Sequence, residues 1–176
     1  KMDVRQMLDF HRHNKAKLTV AAIPVPVSQA HEFGVIEVDE HGKMIGFEEK
    51  PKANPKTIPG RPDFVLASMG NYIFEAKCLV DVLVADAKED DSKHDFGHNI
   101  IPGLYPQGEV YVYDFSSNRI RGESESSAGY WRDVGTIDSY YEANMDLISI
   151  NPPFDVYNRY WPLRSYTPPM PPAKFV

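Results

Sequence analysis

The chain has 176 residues, 42% of them apolar and 12% aromatic, with 19 Lys+Arg against 25 Asp+Glu and a net charge of -6. That length suits one ordinary core, since a domain of about 150 residues buries about 68–70% of the surface its unfolded chain exposes. An acidic chain with no block of Lys/Arg lacks the footprint of a nucleic-acid binder, and no stretch approaches the roughly 18 consecutive apolar residues that span a bilayer. The opening Lys1-Met2-Asp3-Val4-Arg5 is not followed by an apolar signal region, and the lone Cys78 has no disulfide partner in the chain. A protein of the reducing cytoplasm, with no nucleic-acid or membrane partner, is expected. Because it begins at Lys1 and its first residues already read as the middle of something, it is expected to be part of a longer polypeptide.

Val4, Met7, Leu8 and His11 recur at helical spacing while Arg5, Asp9 and Arg12 take the other faces, which predicts an opening amphipathic helix. Residues 17–23 are β-branched and nearly all apolar, a strand buried on both faces that Pro24 and Pro26 are expected to end. Helix followed by buried strand is the grammar of an α/β fold. Residues 33–38 and 44–49 flank Asp39-Glu40-His41-Gly42, whose glycine admits the positive φ of a hairpin loop. Residues 51–62, rich in Pro and Gly, read as an excursion loop of the kind that lies over sites. Residues 64–74 resume as a strand interrupted at Ser68 and Gly70, and the pairs Leu79/Leu83 and Val80/Val84 predict a helix over 75–87 with Cys78 as a small core residue.

Residues 94–104 read as a short helix cut by Pro102 and Gly103, and 109–115 as a strand with Val110 and Val112 inward. Polar residues 116–128 predict an exposed loop, residues 130–134 a short strand, and Thr136 the N-cap of a helix carrying Tyr141, Met145 and Ile148 at i, i+4 and i+7. From Asn151 onward the prolines forbid a regular element. Yet Phe154, Tyr157, Tyr160, Trp161 and Tyr166 are too many aromatics for a free linker, so an ordered, extended strap is expected.

Five places could carry chemistry. In Phe47-Glu48-Glu49-Lys50-Pro51, strand alternation puts Glu48 and Lys50 on one face and Glu49 on the other. An ammonium at a strand end is a good point charge for a phosphate, and a neighbouring carboxylate a good acceptor for sugar hydroxyls; the alternative is a solvated charge cluster. Leu66-Ala67-Ser68-Met69-Gly70 offers a ligand close approach and the Ser68 hydroxyl, unless it is a bulge or a tight packing site, and Gly34 in Phe33-Gly34-Val35 carries the same ambiguity. Asp133 stands just before a glycine break and a helix start, as in Mg²⁺ sites built from one or two carboxylates plus substrate phosphates. Its alternatives are a pair with Arg132 or an acceptor for the helix's free amides. His94-Asp95 resembles a base and its orienter, but with no nucleophile nearby it reads as a helix cap by Asp95.

These blocks, together with His94-Asp95-Phe96-Gly97, Tyr130-Trp131-Arg132-Asp133-Val134-Gly135-Thr136, Trp161-Pro162 and Pro171-Pro172-Ala173-Lys174-Phe175-Val176, resemble the bacterial glucose-1-phosphate adenylyltransferases, the ADP-glucose pyrophosphorylase family, over essentially the whole chain. Glu-Lys-Pro and Asp-Val-Gly are shared with other sugar nucleotidyltransferases; Leu-Ala-Ser-Met-Gly, Tyr-Trp-Arg-Asp-Val-Gly-Thr and Pro-Pro-Ala-Lys-Phe are particular to this family. The resemblance implies an α/β fold, the second half of a Rossmann-like mixed sheet with flanking helices, followed by the Pro-rich strap. Residues 1–150 would be the sugar-phosphate-binding half of a catalytic domain and 151–176 a linker leading towards a β-helix domain.

The implied reaction joins ATP and α-glucose 1-phosphate to give ADP-glucose and pyrophosphate in a cytoplasmic homotetramer, with Mg²⁺ as cofactor. Lys50 would hold the sugar phosphate, Glu49 the glucose hydroxyls, Gly34 and Ser68 would line the pocket, and Asp133 would be the catalytic metal ligand. The family's Gly-rich ATP loop and first metal aspartate match nothing in this chain, which is therefore expected to lack turnover alone. Two other readings are open: an enzyme of another base specificity, and a non-catalytic binding or regulatory subunit.

Overall fold

Leu18 to Ala22 are each 0% exposed. They open β1 (Leu18–Pro26), which pairs in parallel with β5 (Val110–Asp114) and antiparallel with β4 (Phe64–Phe74). The hairpin β2 (Gly34–Val38) and β3 (Met44–Glu49) extends the far side of β4, giving a mixed five-stranded sheet in the order β3-β2-β4-β1-β5. The structure, a computed structural model, describes residues 1–124 and 129–162, and the chain forms two compact units, Lys1–Asn118 and Arg119–Val176.

One face of β1 sends Leu18, Val20 and Ala22 into a core with Ile36, Met44, Val110, Val112, Cys78, Ile100, Ile101 and Leu104. Helix α2 (Ala76–Asp86) and the helical stretch ending in α3 (Ile101–Leu104) supply the last four. Each such aliphatic side chain contributes roughly 1.5–3 kcal/mol on burial. Helix α1 (Val4–His13) packs against β1, β4 and β5 and buries Met7 and His11. The polar Thr19, fully buried on β1, is satisfied by the His11 ring Nδ1 at 2.8 Å. An unpaired hydroxyl in that position would cost roughly 1–3 kcal/mol.

The hairpin, the excursion loop, α1, α2 and the inward Val110 and Val112 match the reading of the sequence. Pro24 and Pro26 do not end β1. Beyond Ala22 the ladder of the described residues runs to β4 alone, and Val27 donates to Asp63 on that side at 2.9 Å. By alternation the donor-less nitrogens of Pro24 and Pro26 turn to the vacant side, where no ladder bond is lost.

Strand β4 is not interrupted but bulged. Val20 pairs with Tyr72 and Ala22 with Ser68, so Met69, Gly70 and Asn71 face Ala21 alone, and Gly70 takes φ 70. The helix near Pro102 is likewise continuous: a π-type turn over Phe96–Ile100 runs into α3, and Pro102 stands in the first turn of α3, where its missing donor is not needed.

Residues 116–124 are less exposed than expected at one point. Asn118 is 3% exposed and clasps the chain start, accepting from Asp3 N at 2.9 Å while donating to Asp3 O at 3.0 Å and to Tyr113 Oη at 2.9 Å. On α2, Val80 and Val84 stay more than half exposed, and Cys78 is the residue the helix buries.

In Arg119–Val176, the expected strand over 130–134 is irregular chain, tied by side chains to α4 (Ile137–Ile148) instead of by a ladder. Tyr141 and Ile148 on that helix are exposed rather than packed. Residues 151–162 form no regular element. Phe154 packs on Tyr130, and Asn158 donates to Arg121 O at 2.8 Å. Residues 125–128 of the expected loop and 163–176 of the expected strap lie outside the described residues.

Burial pushes the His11 imidazole below its ordinary value, with the Arg12 charge adding to the effect. Above pH about 6.5 the ring is neutral in both folded and unfolded chains, so it contributes no pH dependence. Below that, the unfolded chain takes up the proton first and stability falls until the folded pKa is passed. Urea titrations should therefore show the stability advantage of the parent over His11→Gln shrinking as pH drops from 7.5 to 5. An advantage constant with pH would contradict the neutral, buried ring.

Candidate functional site

Gly34 pairs with Glu49 at the open end of the hairpin. Val35, the next residue, pairs with Ala67 on β4, so Ser68 follows at the same end of the sheet. The strand stops at Glu49. Lys50 adopts φ 48 while its N–H donates to Phe33 O at 3.0 Å. Strand alternation therefore does not carry through to Lys50, contrary to the sequence expectation: the backbone leaves the extended conformation there for the left-handed region. A non-glycine residue in that region costs roughly 1–2 kcal/mol, and such costs concentrate at functional sites.

Around this point stand residues the sequence reading did not single out. Tyr72, on the far side of the bulge, stacks on Phe96 with ring centroids 5.4 Å apart and packs edge-on to Phe74. Burial raises the Tyr72 phenol pKa, the Ser68 hydrogen bond opposes that, and the nearby negative charges of Glu49 and Asp95 add to it. The ring thus stays a neutral hydrogen-bonding group among carboxylates.

Asp95 caps the π-type turn, accepting from His98 N at 2.8 Å and from the His98 ring at 2.9 Å, and the His98 contact holds its carboxyl below the usual range. His94 pairs instead with Asp86 at 2.8 Å. The expected cap reading of Asp95 is the one the structure has. Gly97, in the same turn, comes against the Glu49 carboxylate. The signal for Tyr72 was Gly70, which marked a bulge; nothing in the spacing marked Gly97.

Gly34, Glu49, Lys50 and Ser68 are thus brought to one end of the sheet, edged by Tyr72, Asp95, Phe96 and Gly97. A cation, carboxylates, hydroxyls and an aromatic wall are the donor and acceptor set for a polar ligand with an anionic end.

Asp133 belongs to Arg119–Val176. Arg132 is engaged by Glu142 at 2.9 Å and by Asp146 at 2.6 Å, and Tyr130 Oη donates to the same Asp146 oxygen at 2.7 Å. Arg132 holds the Asp146 carboxyl below its usual range, and Tyr130 adds to this. Asp133 is left out of that network. Its Oδ2 accepts from Gly135 N at 3.2 Å, and a Cβ on Gly135 would come within 2.8 Å of that oxygen. Thr136 and Ser139 then form a reciprocal capping box at the start of α4. Among the described residues, no three His, Cys, Asp or Glu side chains gather to hold a metal.

The family model for nucleotidyl transferases matches residues 1–150. This chain belongs to the nucleotidyl transferase family. Glucose-1-phosphate adenylyltransferase 1 of Vibrio cholerae is 62% identical over 176 residues, covering 100% of this chain and 43% of the relative. The glucose-1-phosphate adenylyltransferase of Aliivibrio fischeri is 63% identical over 175 residues, 99% of this chain and 42% of that protein. That of Anaeromyxobacter dehalogenans is 54% identical over 176 residues. The chain thus spans less than half the length of these curated relatives. No helix among the described residues of this family member is long and apolar enough to cross a membrane.

The left-handed Lys50 gives a direct test of strain. Lys50→Gly should be more stable than Lys50→Ala by roughly 1 kcal/mol in urea unfolding, because only glycine takes φ 48 without a Cβ penalty. Equal stabilities would mean that the left-handed backbone stores no strain.

Proposed function

We propose that this chain carries the sugar-phosphate side of a glucose-1-phosphate adenylyltransferase, which forms ADP-glucose and pyrophosphate from ATP and α-glucose 1-phosphate. The observation that carries the reading is the placement of Lys50 beside Glu49, with Gly34 and Ser68, at one end of the sheet. The names of the similar proteins agree with it.

In this reading Lys50 holds the phosphate of glucose 1-phosphate, Glu49 accepts from glucose hydroxyls, and Ser68 and Gly34 line the pocket. A phosphate oxygen of the sugar attacks the α-phosphorus of ATP in line, and the bond to the bridging oxygen breaks to release pyrophosphate. Residues that fix the sugar phosphate convert the encounter into a positioned reaction, which is the larger part of such catalysis.

Asp133 is the residue we assign to Mg²⁺. It is exposed, one of its oxygens is used by Gly135 N, and Oδ1 carries no hydrogen bond among the described residues. A single carboxylate suits a cation that takes its other ligands from water and substrate phosphates. When bound, the ion supplies charge neutralisation at the transferring phosphoryl group. Occurrence in the cytoplasm, as part of a homotetramer and without nucleic-acid or membrane partners, completes the reading.

In the full-length polypeptide, Lys50→Ala should raise the KM for glucose 1-phosphate about 10- to 100-fold with kcat far less affected, the loss of a charged hydrogen bond worth roughly 1.5–3 kcal/mol. An unchanged KM would remove Lys50 from the phosphate. For Asp133→Asn the expected result is a kcat lowered by at least about 10²-fold with the melting temperature unchanged; an active variant would take Asp133 out of the metal site. Competition among ATP, UTP and dTTP in the same assay should leave ATP the preferred donor.

A further inference from the structure

Gly34 and Gly97 are both buried, and neither has a positive φ, so backbone conformation does not require glycine at either position. Space does. A Cβ on Gly97 would lie 2.6 Å from Glu49 Oε2 and 3.0 Å from its Cδ. On Gly34 it would lie 2.9 Å from the same Oε2 and 2.5 Å from Phe47 Cζ. The two glycines come from different elements, a strand start and a helical turn, and both leave room for one carboxylate oxygen.

Phe47 and Glu49 share β3, and the Phe47 ring leans over Gly34, so the Gly34 position is closed by packing as well as by the carboxylate. Gly97 is different, because the closest atoms to its missing Cβ are those of the Glu49 carboxylate, followed by Asp95 Oδ1 at 3.3 Å. In a helical turn alanine is intrinsically favoured over glycine by roughly 1 kcal/mol, so glycine here goes against local preference. Glu49 is the flexible partner, and a methyl on Gly97 would be accommodated by moving its carboxylate rather than the backbone.

We infer that Gly97 is a positioning residue: its missing side chain fixes where the Glu49 carboxylate stands, and through Glu49 it sets how the site recognises the hydroxyls of its sugar phosphate. The inference rests on the reading of Glu49 given above and deepens it. Asp95 ties the two together, since its cap on His98 N holds the turn that presents Gly97. A shift of about 1 Å in a group that binds substrate is enough to lose much of its contribution.

The test is a mutant cycle in the full-length polypeptide, read by steady-state kinetics with glucose 1-phosphate varied. Gly97→Ala should raise the KM for glucose 1-phosphate about tenfold while kcat stays within about threefold. In a Glu49→Ala background, where the new methyl meets no carboxylate, Gly97→Ala should add nothing to KM. A silent Gly97→Ala, or an increase that adds in full on top of Glu49→Ala, overturns the positioning role. Should Gly97→Ala fail to fold, recovery of the fold in Gly97→Ala/Glu49→Ala supports the shared space, and continued loss overturns it. If Glu49→Ala itself leaves KM unchanged, it is the sugar-hydroxyl role of Glu49 that fails, and this inference falls with it.

Discussion

Everything in Lys1–Asn118 is organised by the complete burial of the first half of β1. A strand with a ladder on each edge and helices over each face must satisfy every backbone donor from its neighbours and every polar side chain from the covering layers. Thr19 shows the demand at its sharpest. Its hydroxyl lies under α1 and is met by the His11 ring, which ties the helix to the sheet. The same helix is held at its other end by Asp3 and Asn118, which join the chain start to the segment just after β5. The first strand thus dictates where the last strand of the sheet and the first helix lie.

That constraint also makes the site. The ladder between β1 and β4 stays in register on both sides of Ala21 only because β4 expels three residues in a bulge. Ser68 and Tyr72 sit on either side of it, and the bulge brings them within hydrogen-bonding range. Meanwhile the hairpin ends where Lys50 turns left-handed, so the chain leaves the sheet's alternation at the same end. Two local departures from ideal strand geometry, each with a cost, thus fall at one end of the sheet.

The legible part of the sequence was the part governed by periodicity. The hairpin around Gly42, the amphipathic α1, the buried start of β1 and the Thr136 cap all follow from local pattern and are where the pattern put them. What failed to read was decided by partners distant in sequence. Pro24 and Pro26 look like terminators until the vacant edge beyond β5 is known. Residues 130–134 read as a short strand but bind α4 through Tyr130 and Arg132. The site divided in the same way. Glu49 and Lys50 announced themselves by residue type at a strand end and Ser68 by a small hydroxyl beside a strand glycine, and Gly70 marked the bulge that places Tyr72, whereas Gly97 has no mark in the spacing, because its place depends on a carboxylate many residues away.

The assigned residues are held by devices of different stiffness, and this bears on how the chemistry divides. At Glu49 and Lys50 it is the backbone that is fixed: Lys50 holds φ 48 with its N–H on Phe33 O, and the Glu49 carboxylate fits the space that Gly34 and Gly97 leave. A fixed backbone lowers the entropy lost on binding, while the exposed Lys50 side chain keeps its own to lose. Asp133 is exposed, held by a single hydrogen bond from Gly135 N, beside a network in which Arg132 and Asp146 neutralise each other. With Arg132 taken up by Asp146 and Glu142, Asp133 has among the described residues only that backbone hydrogen bond, which suits the metal-ligand role proposed for it, because a hard cation takes a carboxylate best when no cation already holds it.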